Sequence, residues 1–196
     1  VGLKKIRITG GEPLLRKNVD KLIYKLKTEV GIEHVGMTTN GSLLTDEKLS
    51  ILKSSGLDSL TLSLDTLNSD KIIKINGTKK QFNLDKVLQG IEKYFGKVKT
   101  NTVVIKGIND NEILDIIIKM IRINSEVRFI EYMDVGESNN WDLEKVVPSK
   151  DILKSIKSRY SLSLIKTDKS STAEKWSIEN TNTSVGFISS ITEPFC

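Results

Sequence analysis

Two cations stand on one strand of this chain where a covered sheet would have none. In Lys4–Thr9 (KKIRIT) the side chains alternate, so Ile6 and Ile8 share one face and Lys5, Arg7 and Thr9 the other. A parallel sheet covered by helices on both sides is apolar on both faces. This strand instead suits a polar lumen that holds an anion; the simpler alternative is an edge strand with its charges in water. The pattern recurs. Leu60–Asp65 sets Leu60, Leu62 and Leu64 against Thr61, Ser63 and Asp65; Lys99 shares a face with Asn101; Met37–Gly41 ends a strand in small polar groups. Lys5, Arg7 and Lys99, three cations from two strands, would suit a polyphosphate. An opposite charge at ~4 Å is worth ~4 kcal/mol at an effective dielectric of about 20.

After the first strand comes Gly10-Gly11-Glu12-Pro13. Two glycines let backbone amides approach a ligand closely. Glu12 offers a carboxylate that could meet an ammonium group, and Pro13 fits the start of a helix. The alternative is a tight turn with a solvated Glu12. Other candidates are weaker. His34 is the only histidine, so it builds no histidine metal site or triad and is expected to be structural. Trp141 and Trp176 are expected to pack, and Lys154–Arg159 to be a solvated helix face. Glu131, beside Met133 at a strand end, is a candidate functional carboxylate.

The elements that must position these residues alternate. Strands are expected at Lys4–Thr9, His34–Thr39, Asp58–Leu64, Val98–Ile105 and Val127–Tyr132. Helices are expected at Val19–Glu29, Asp46–Ser54, Asn83–Phe95 and Asn111–Ile123, with Asn83 as an N-cap, Gly56 as a stop and the Gly77 region as loop. Such alternation indicates βα units and a parallel sheet. Polar groups gather at the C-terminal ends of the strands, where βα barrels bind ligands. Five units fall short of a closed eight-unit barrel, leaving an open barrel, a doubly wound sheet, or a chain lacking its first units. The fold class is α/β. The chain divides into 1–133, the βα core, and 134–196, a loop from Asp134 to Asn140 followed by an appendage. The appendage comprises a helix at Ser149–Arg159 and short antiparallel strands at Ser161–Lys166, Ala173–Ile178 and Ser184–Ser189.

With 196 residues, 38% hydrophobic and 28% charged, the chain has the balance of a soluble globular protein. No apolar run approaches the ~18 residues of a membrane span, and no secretory signal opens the chain. The net charge of +5 suits an anionic ligand but is too small to establish nucleic-acid binding. Cys196, the only cysteine, is the last residue and excludes an intrachain disulfide. The absence of an initiator Met and the ending Pro194-Phe195-Cys196 suggest a window cut from a longer protein.

KIRITGGEPLLR, then TTNG and SLD at matching intervals, resembles the radical S-adenosylmethionine superfamily. Lys99-Thr100-Asn101, Lys106–Asp110 (KGIND), Arg128–Gly136 (RFIEYMDVG) and Thr192–Cys196 (TEPFC) narrow the resemblance to the GTP 3′,8-cyclases of molybdenum-cofactor synthesis, over essentially the whole chain. The resemblance implies a partial (βα) barrel of the radical type. It implies S-adenosylmethionine contacts at Gly10, Gly11, Glu12, Ser63 and Met133, with the first three meeting the methionine amino group. It further implies GTP contacts at Lys5, Arg7, Thr38 and Lys99, and a ligand at Cys196 to the second of two [4Fe–4S] clusters. The family reaction, a lyase step, converts GTP to 3′,8-cyclo-7,8-dihydro-GTP: an adenosyl radical takes the ribose 3′ hydrogen and the carbon radical attacks C8 of guanine. Implied partners are GTP, an external electron donor, the next pterin-pathway enzyme (cyclic pyranopterin monophosphate synthase) and a second copy of the chain in a homodimer. No nucleic acid or membrane is expected, and the compartment is the cytoplasm.

The chain departs from the family in lacking the C-x3-C-x2-C motif of the first cluster and all but one cysteine of the second. A [4Fe–4S] cluster takes three or four thiolates, so the chain alone is expected to assemble neither and to be inactive. The alternatives are a peptide-maturing radical enzyme, which would need no cationic lumen, and a non-catalytic nucleotide-binding module.

Overall fold

The fold is that of a computed structural model, in which residues 2–68, 71–72, 83–134, 141–166 and 173–193 are described. The expected loop around Gly77, residues 135–140 of the Asp134–Asn140 loop, and Cys196 lie outside them. The chain forms two compact units, Val1–Ser63 with Asn76–Lys99, and Leu64–Ile75 with Thr100–Cys196.

In the first unit, β1 (Lys5–Ile8), β2 (His34–Thr39) and β3 (Ser59–Ser63) are parallel neighbours, connected through α1 (Val19–Thr28) and α2 (Asp46–Ser54); α3 (Leu84–Phe95) completes the unit. Local chemistry marks the boundaries. The Thr45 hydroxyl accepts the Lys48 N–H at 3.1 Å to cap α2, with Asp46 and Glu47 in the first turn complementing the helix dipole. Asn83 caps α3 in the same way, accepting from Lys86 N–H at 3.1 Å. The helices α2 and α3 pack so closely that a Cβ at Gly90 would sit 2.5 Å from Leu49 Cδ1. Val35, Met37, Leu60, Leu62, Leu88 and Ile91 form the apolar core of this unit.

The register then fixes the opposite face. Lys5 pairs with His34, Arg7 with Gly36, and Gly36 in turn with Ser59; Thr38 pairs with Thr61. One face of the three strands therefore carries Lys5, Arg7, His34, Gly36, Thr38, Ser59, Thr61 and Ser63, a row of polar and small residues. The alternation expected from the sequence is what the sheet shows.

In the second unit the strand order is β4-β5-β8-β7-β6, from β4 (Lys99–Val104, with Thr100 onward in this unit), β5 (Glu126–Glu131), β6 (Leu162–Ile165), β7 (Glu174–Ile178) and β8 (Ser184–Ile188). The helices are α4 (Ile113–Ile121) and α5 (Ser149–Lys157). The C-terminal strands are antiparallel among themselves, as expected, yet they do not stand apart as an appendage. Parallel to β5, β8 continues the sheet of β4 and β5. Its burial is that of a central strand: Ser184, Val185, Gly186 and Phe187 are all buried, and Phe187 stacks on Phe129 at 6.3 Å between ring centroids. The helix expected over Asn111–Ile123 opens as a separate 3-10 turn, Asp110–Glu112, before α4. Among the described residues no helix is long and apolar enough to cross a membrane.

Candidate functional site

The Arg7 guanidinium lies across the polar face of the first unit. It donates to Thr61 Oγ1 on β3 at 3.1 Å and to Thr38 Oγ1 on the neighbouring β2 at 3.5 Å. It passes over β2 at Gly36, where a Cβ would stand 3.4 Å from Arg7 Cζ and 3.0 Å from Ser59 Oγ. A glycine inside a strand marks such a close approach, and that signal was available in the sequence. Ser59 Oγ is itself 2.9 Å from His34 Nε2, so the only histidine is a member of this polar row rather than an isolated core residue. Lys5 stands exposed on the same face of β1, and Lys99, half-buried, opens β4. Of the expected substrate residues the structure brings Arg7 and Thr38 into contact. It adds Thr61, which the alternation had placed on this face without assigning it a role.

The Gly10-Gly11 turn follows. Gly10 has φ +139°, a backbone conformation open to glycine. No atom lies within 4 Å of where a Cβ at Gly10 or Gly11 would stand, so the backbone is open to an incoming group. Glu12 is more committed than the sequence suggests. Its Oε1 accepts from Thr39 Oγ1 at 2.6 Å and from Leu14 N–H at 3.1 Å, and its Oε2 from Asn40 N–H at 2.8 Å. A carboxylate has about four acceptor positions, so one remains, on Oε2. Glu12 joins the turn after β1 to the end of β2, with Pro13 beginning a short 3-10 turn as its fixed φ favours. Ser63 ends β3 on the polar face, two residues beyond Thr61.

In the second unit Met133 is half-buried just beyond β5. Glu131 is a structural clamp. Its Oε1 accepts from Ser149 N–H at 2.7 Å and Thr192 Oγ1 at 2.6 Å, and its Oε2 from the N–H groups of Ile191 and Thr192 at 2.9 Å each. Burial pushes its pKa up, but these four bonds, Thr192 foremost, bring it below the ordinary carboxylate value. Four donors fill four acceptor positions, so Glu131 holds the 190–192 turn to the end of β5 and has no capacity left for chemistry. Trp141 packs with its indole N–H on Tyr132 O at 3.0 Å, and Trp176 lies beneath Lys157, 4.1 Å from its ring centroid.

A charged cluster that the sequence reading passed over spans β5 and β7. Glu126, 3% exposed, receives Arg128 Nη2 at 2.6 Å on Oε1 and Lys175 Nζ at 2.6 Å on Oε2. Burial opposes ionisation, yet Lys175 and Arg128 prevail and pull the carboxyl from 4.5 down to about 2. Placing β5 from Val127 onward hid Glu126 outside the strand. Among the described residues no group of three or more His, Cys, Asp or Glu side chains could hold a metal ion.

Comparison with known proteins gives the following. The family model of the radical SAM superfamily matches residues 1–120, and that of Molybdenum Cofactor Synthesis C matches residues 125–196. The chain is 40% identical to a GTP 3′,8-cyclase of Aquifex aeolicus, covering all of this chain and 61% of that protein. It is 39% identical to GTP 3′,8-cyclase 3 of Mycobacterium bovis, covering 53% of it. The chain thus spans about half to three-fifths of the length of these curated relatives. Among solved structures, Streptococcus suis SuiB bound to S-adenosylmethionine matches over 93% of this chain and 39% of that one, with TM-score 0.63 at 19% identity. A radical SAM methyltransferase from Sphaerobacter thermophilus matches over 78% of this chain and 46% of that one, with TM-score 0.59 at 17% identity.

Proposed function

The chain belongs to the radical SAM superfamily, and from that premise we propose that it is the substrate- and cofactor-binding part of a GTP 3′,8-cyclase acting in molybdenum-cofactor synthesis. The observation that carries the reading is the polar face of the first unit, where Arg7 is laid across Gly36 onto Thr61 and Thr38 and joined by Lys5. A sheet face with arginine, lysine and hydroxyls supplies charge-assisted donors in fixed directions, which is what an anionic nucleotide needs. Residues 125–196, matching the molybdenum-cofactor family, favour this reading over a peptide-maturing enzyme.

The roles proposed are those the resemblance implies. Arg7, Lys5, Thr38 and Lys99 hold and orient the GTP. The Gly10-Gly11 backbone and the remaining acceptor of Glu12 receive the ammonium end of S-adenosylmethionine, with Ser63 and Met133 as further contacts. The open space at both glycines fits such an approach. When bound and reductively cleaved, S-adenosylmethionine supplies an adenosyl radical for hydrogen abstraction. The product of the proposed reaction closes a bond between ribose C3′ and guanine C8.

Radical SAM chemistry draws on iron–sulfur clusters, and here the residues do not fit. One cysteine, Cys196, cannot hold a [4Fe–4S] cluster, which needs three or four thiolates. The proposed two clusters call on more cysteines than these 196 residues hold, and an electron donor, the next pterin-pathway enzyme and a second copy are the partners proposed with them.

The test is calorimetry on the protein from the complete reading frame, with GTP, GMP and guanosine. Affinity should rise with phosphate count and fall at least about tenfold for GTP in Arg7→Ala and Lys99→Ala. Gly11→Val should leave GTP binding in place and weaken S-adenosylmethionine. Equal affinity for guanosine and GTP would remove the phosphate role from these cations.

A further inference from the structure

We propose that His34, held in place by Ser59, contacts the terminal phosphate of the nucleotide and sets a preference for three phosphates over two. The inference rests on the GTP reading above and adds a residue to which that reading gives no role. Two observations in the first unit point to it: where His34 stands on the polar face, and what its ring is bonded to. His34 opens β2, and its register partner on β1 is Lys5. Alternation along the strands puts both on the face that carries Arg7.

That face has a direction. The Gly10-Gly11 turn, which the reading gives to S-adenosylmethionine, follows the C-terminal end of β1. A ribose that loses hydrogen to an adenosyl radical must stand beside that cofactor. The cations lie away from it: Arg7 is one residue before the end of β1, and Lys5 begins the strand. A nucleotide with its ribose at the turn therefore runs its phosphates past Arg7 toward the row of Lys5 and His34. Rows two residues apart stand about 6.6 Å apart along a strand. A triphosphate that starts at Arg7 spans that distance, and a monophosphate does not. The last phosphate is then the one that meets His34.

The ring is set for such a contact. His34 is half-buried, and its Nε2 stands 2.9 Å from Ser59 Oγ. Ser59 Oγ in turn lies 3.0 Å from the point where a Cβ at Gly36 would stand, and Arg7 Cζ lies 3.4 Å from the same point. Ser59 thus borders both the His34 ring and the place where Arg7 crosses β2. Among the described residues the second ring nitrogen, Nδ1, has no hydrogen-bond partner. When the Ser59 hydroxyl donates to Nε2, the ring proton is on Nδ1, which is then a donor to a phosphate oxygen. The carboxylates close by are already engaged. Asp58 is held by Lys27 Nζ at 3.0 Å and by Val35 N–H at 2.7 Å, and Glu33 by Lys4 Nζ at 2.9 Å. Among the described residues none pairs with Lys5, so the row keeps its positive charge. A side chain fixed by its neighbour, with one donor left over beside a cation, is preorganised for an anion.

The experiment is calorimetry on the protein from the complete reading frame and on its His34→Ala, His34→Gln and Ser59→Ala variants, with GTP, GDP, GMP and guanosine. The unsubstituted protein should bind GTP about tenfold or more tighter than GDP. His34→Ala should bring GTP down to the level of GDP and leave GDP and GMP as they were. His34→Gln, which returns an N–H donor, should recover part of the loss. Ser59→Ala should weaken GTP several-fold and leave GDP unchanged. Thermal unfolding of each variant reports the fold separately. A loss shared equally by GTP, GDP and GMP in His34→Ala, or a preference for GTP over GDP that survives it, overturns the proposal and leaves the GTP reading standing. If His34→Ala does not fold, Ser59→Ala decides: an unchanged GTP-to-GDP ratio there overturns it. An unsubstituted protein that binds GTP and GDP alike, but both above guanosine, also removes His34 and keeps the reading. Equal affinity for guanosine and GTP ends both.

Discussion

Two arginines in this chain are seated alike and bonded differently. Arg7 on β1 lies opposite Gly36 on β2, and Arg128 on β5 lies opposite Gly186 on β8. In each pair a Cβ on the glycine would press the arginine, at 3.4 Å from Arg7 Cζ and 3.3 Å from Arg128 Cγ. There the likeness stops. Arg7 spends two donors on the neutral hydroxyls of Thr61 and Thr38, whereas Arg128 grips the Glu126 carboxylate, which also receives Lys175. Hydrogen bonds from a guanidinium to neutral hydroxyls aim the group without neutralising its charge. A buried carboxylate between two cations fastens strands, and its loss of either partner is costly. On the proposed function, the same strand–glycine device would serve recognition in the first unit, while in the second it accompanies an ion-paired cluster.

The largest effect expected from this contrast is on acid stability. Glu126 is held at about 2 against an ordinary 4.5, a depressed carboxyl, so its contribution is present above pH 4.5 and lost as pH falls toward 2. The difference corresponds to about 3 kcal/mol. Denaturant titrations between pH 6 and 2 should show stability falling through that window. In Glu126→Gln the fall should be smaller. An identical acid profile for both proteins would break the idea that Glu126 carries the cohesion of the second unit.

Next in size is Arg128→Ala, which leaves Glu126 buried with Lys175 alone. A loss of about 2 kcal/mol is expected, below the ~3–5 kcal/mol of a fully orphaned charge because one cation stays. The Glu126 pKa should rise with it, narrowing the acid window. Chemical denaturation at pH 7 checks the first figure, and the variant's pH profile the second.

Much of this was legible beforehand, and the exceptions have physical causes. The strand alternation placed Arg7, Thr61 and Ser63 on one face, because a period of two is unambiguous when one side must be apolar. The helix starts expected at Asp46 and at the Asn83 cap fall within a residue of those observed. The Glu126 cluster was not legible, because its partner Lys175 lies in β7, and pairing across sequence-distant strands leaves no local trace. Glu131 was readable as important but not as a clamp, since its four donors come from turns at 149 and 191–192. Glu12 looked like a ligand group because nothing in GGEP shows that Thr39 and Asn40 will fold back onto it. The continuation of the sheet through β8 required knowing that Ser184 and Gly186 are buried, which composition alone does not tell.

A smaller effect should come from the two glycines. At Gly36→Ala the added methyl meets Ser59 Oγ at 3.0 Å and the planar end of Arg7 at 3.4 Å; at Gly186→Ala it meets the Arg128 stem at 3.3 Å. Overpacking of this degree costs about 1 kcal/mol. The functional consequences should diverge. Gly36→Ala should tilt Arg7 off Thr61 and reduce GTP affinity, while Gly186→Ala should lower stability by a similar amount and leave the relative affinity for GTP and guanosine unchanged. Equal loss of GTP affinity in both would mean the two seats do not differ in purpose.

The smallest stability change is expected at Arg7 itself. Its side chain stands exposed to water, and of the two hydroxyls it meets Thr38 is half-buried and Thr61 buried. Arg7→Ala should therefore shift the unfolding free energy by less than about 1 kcal/mol, well below Arg128→Ala, although the two residues occupy matching positions. Arg7→Lys separates aim from charge: it keeps one positive charge but loses the planar fork that reaches Thr61 and Thr38 together. If recognition depends on that fork, the lysine variant should be as stable as the parent and still bind GTP several-fold more weakly. Measuring unfolding and GTP binding on the same preparations decides the point. A stability loss at Arg7→Ala as large as at Arg128→Ala would show that the first arginine, too, is there to hold the sheet together.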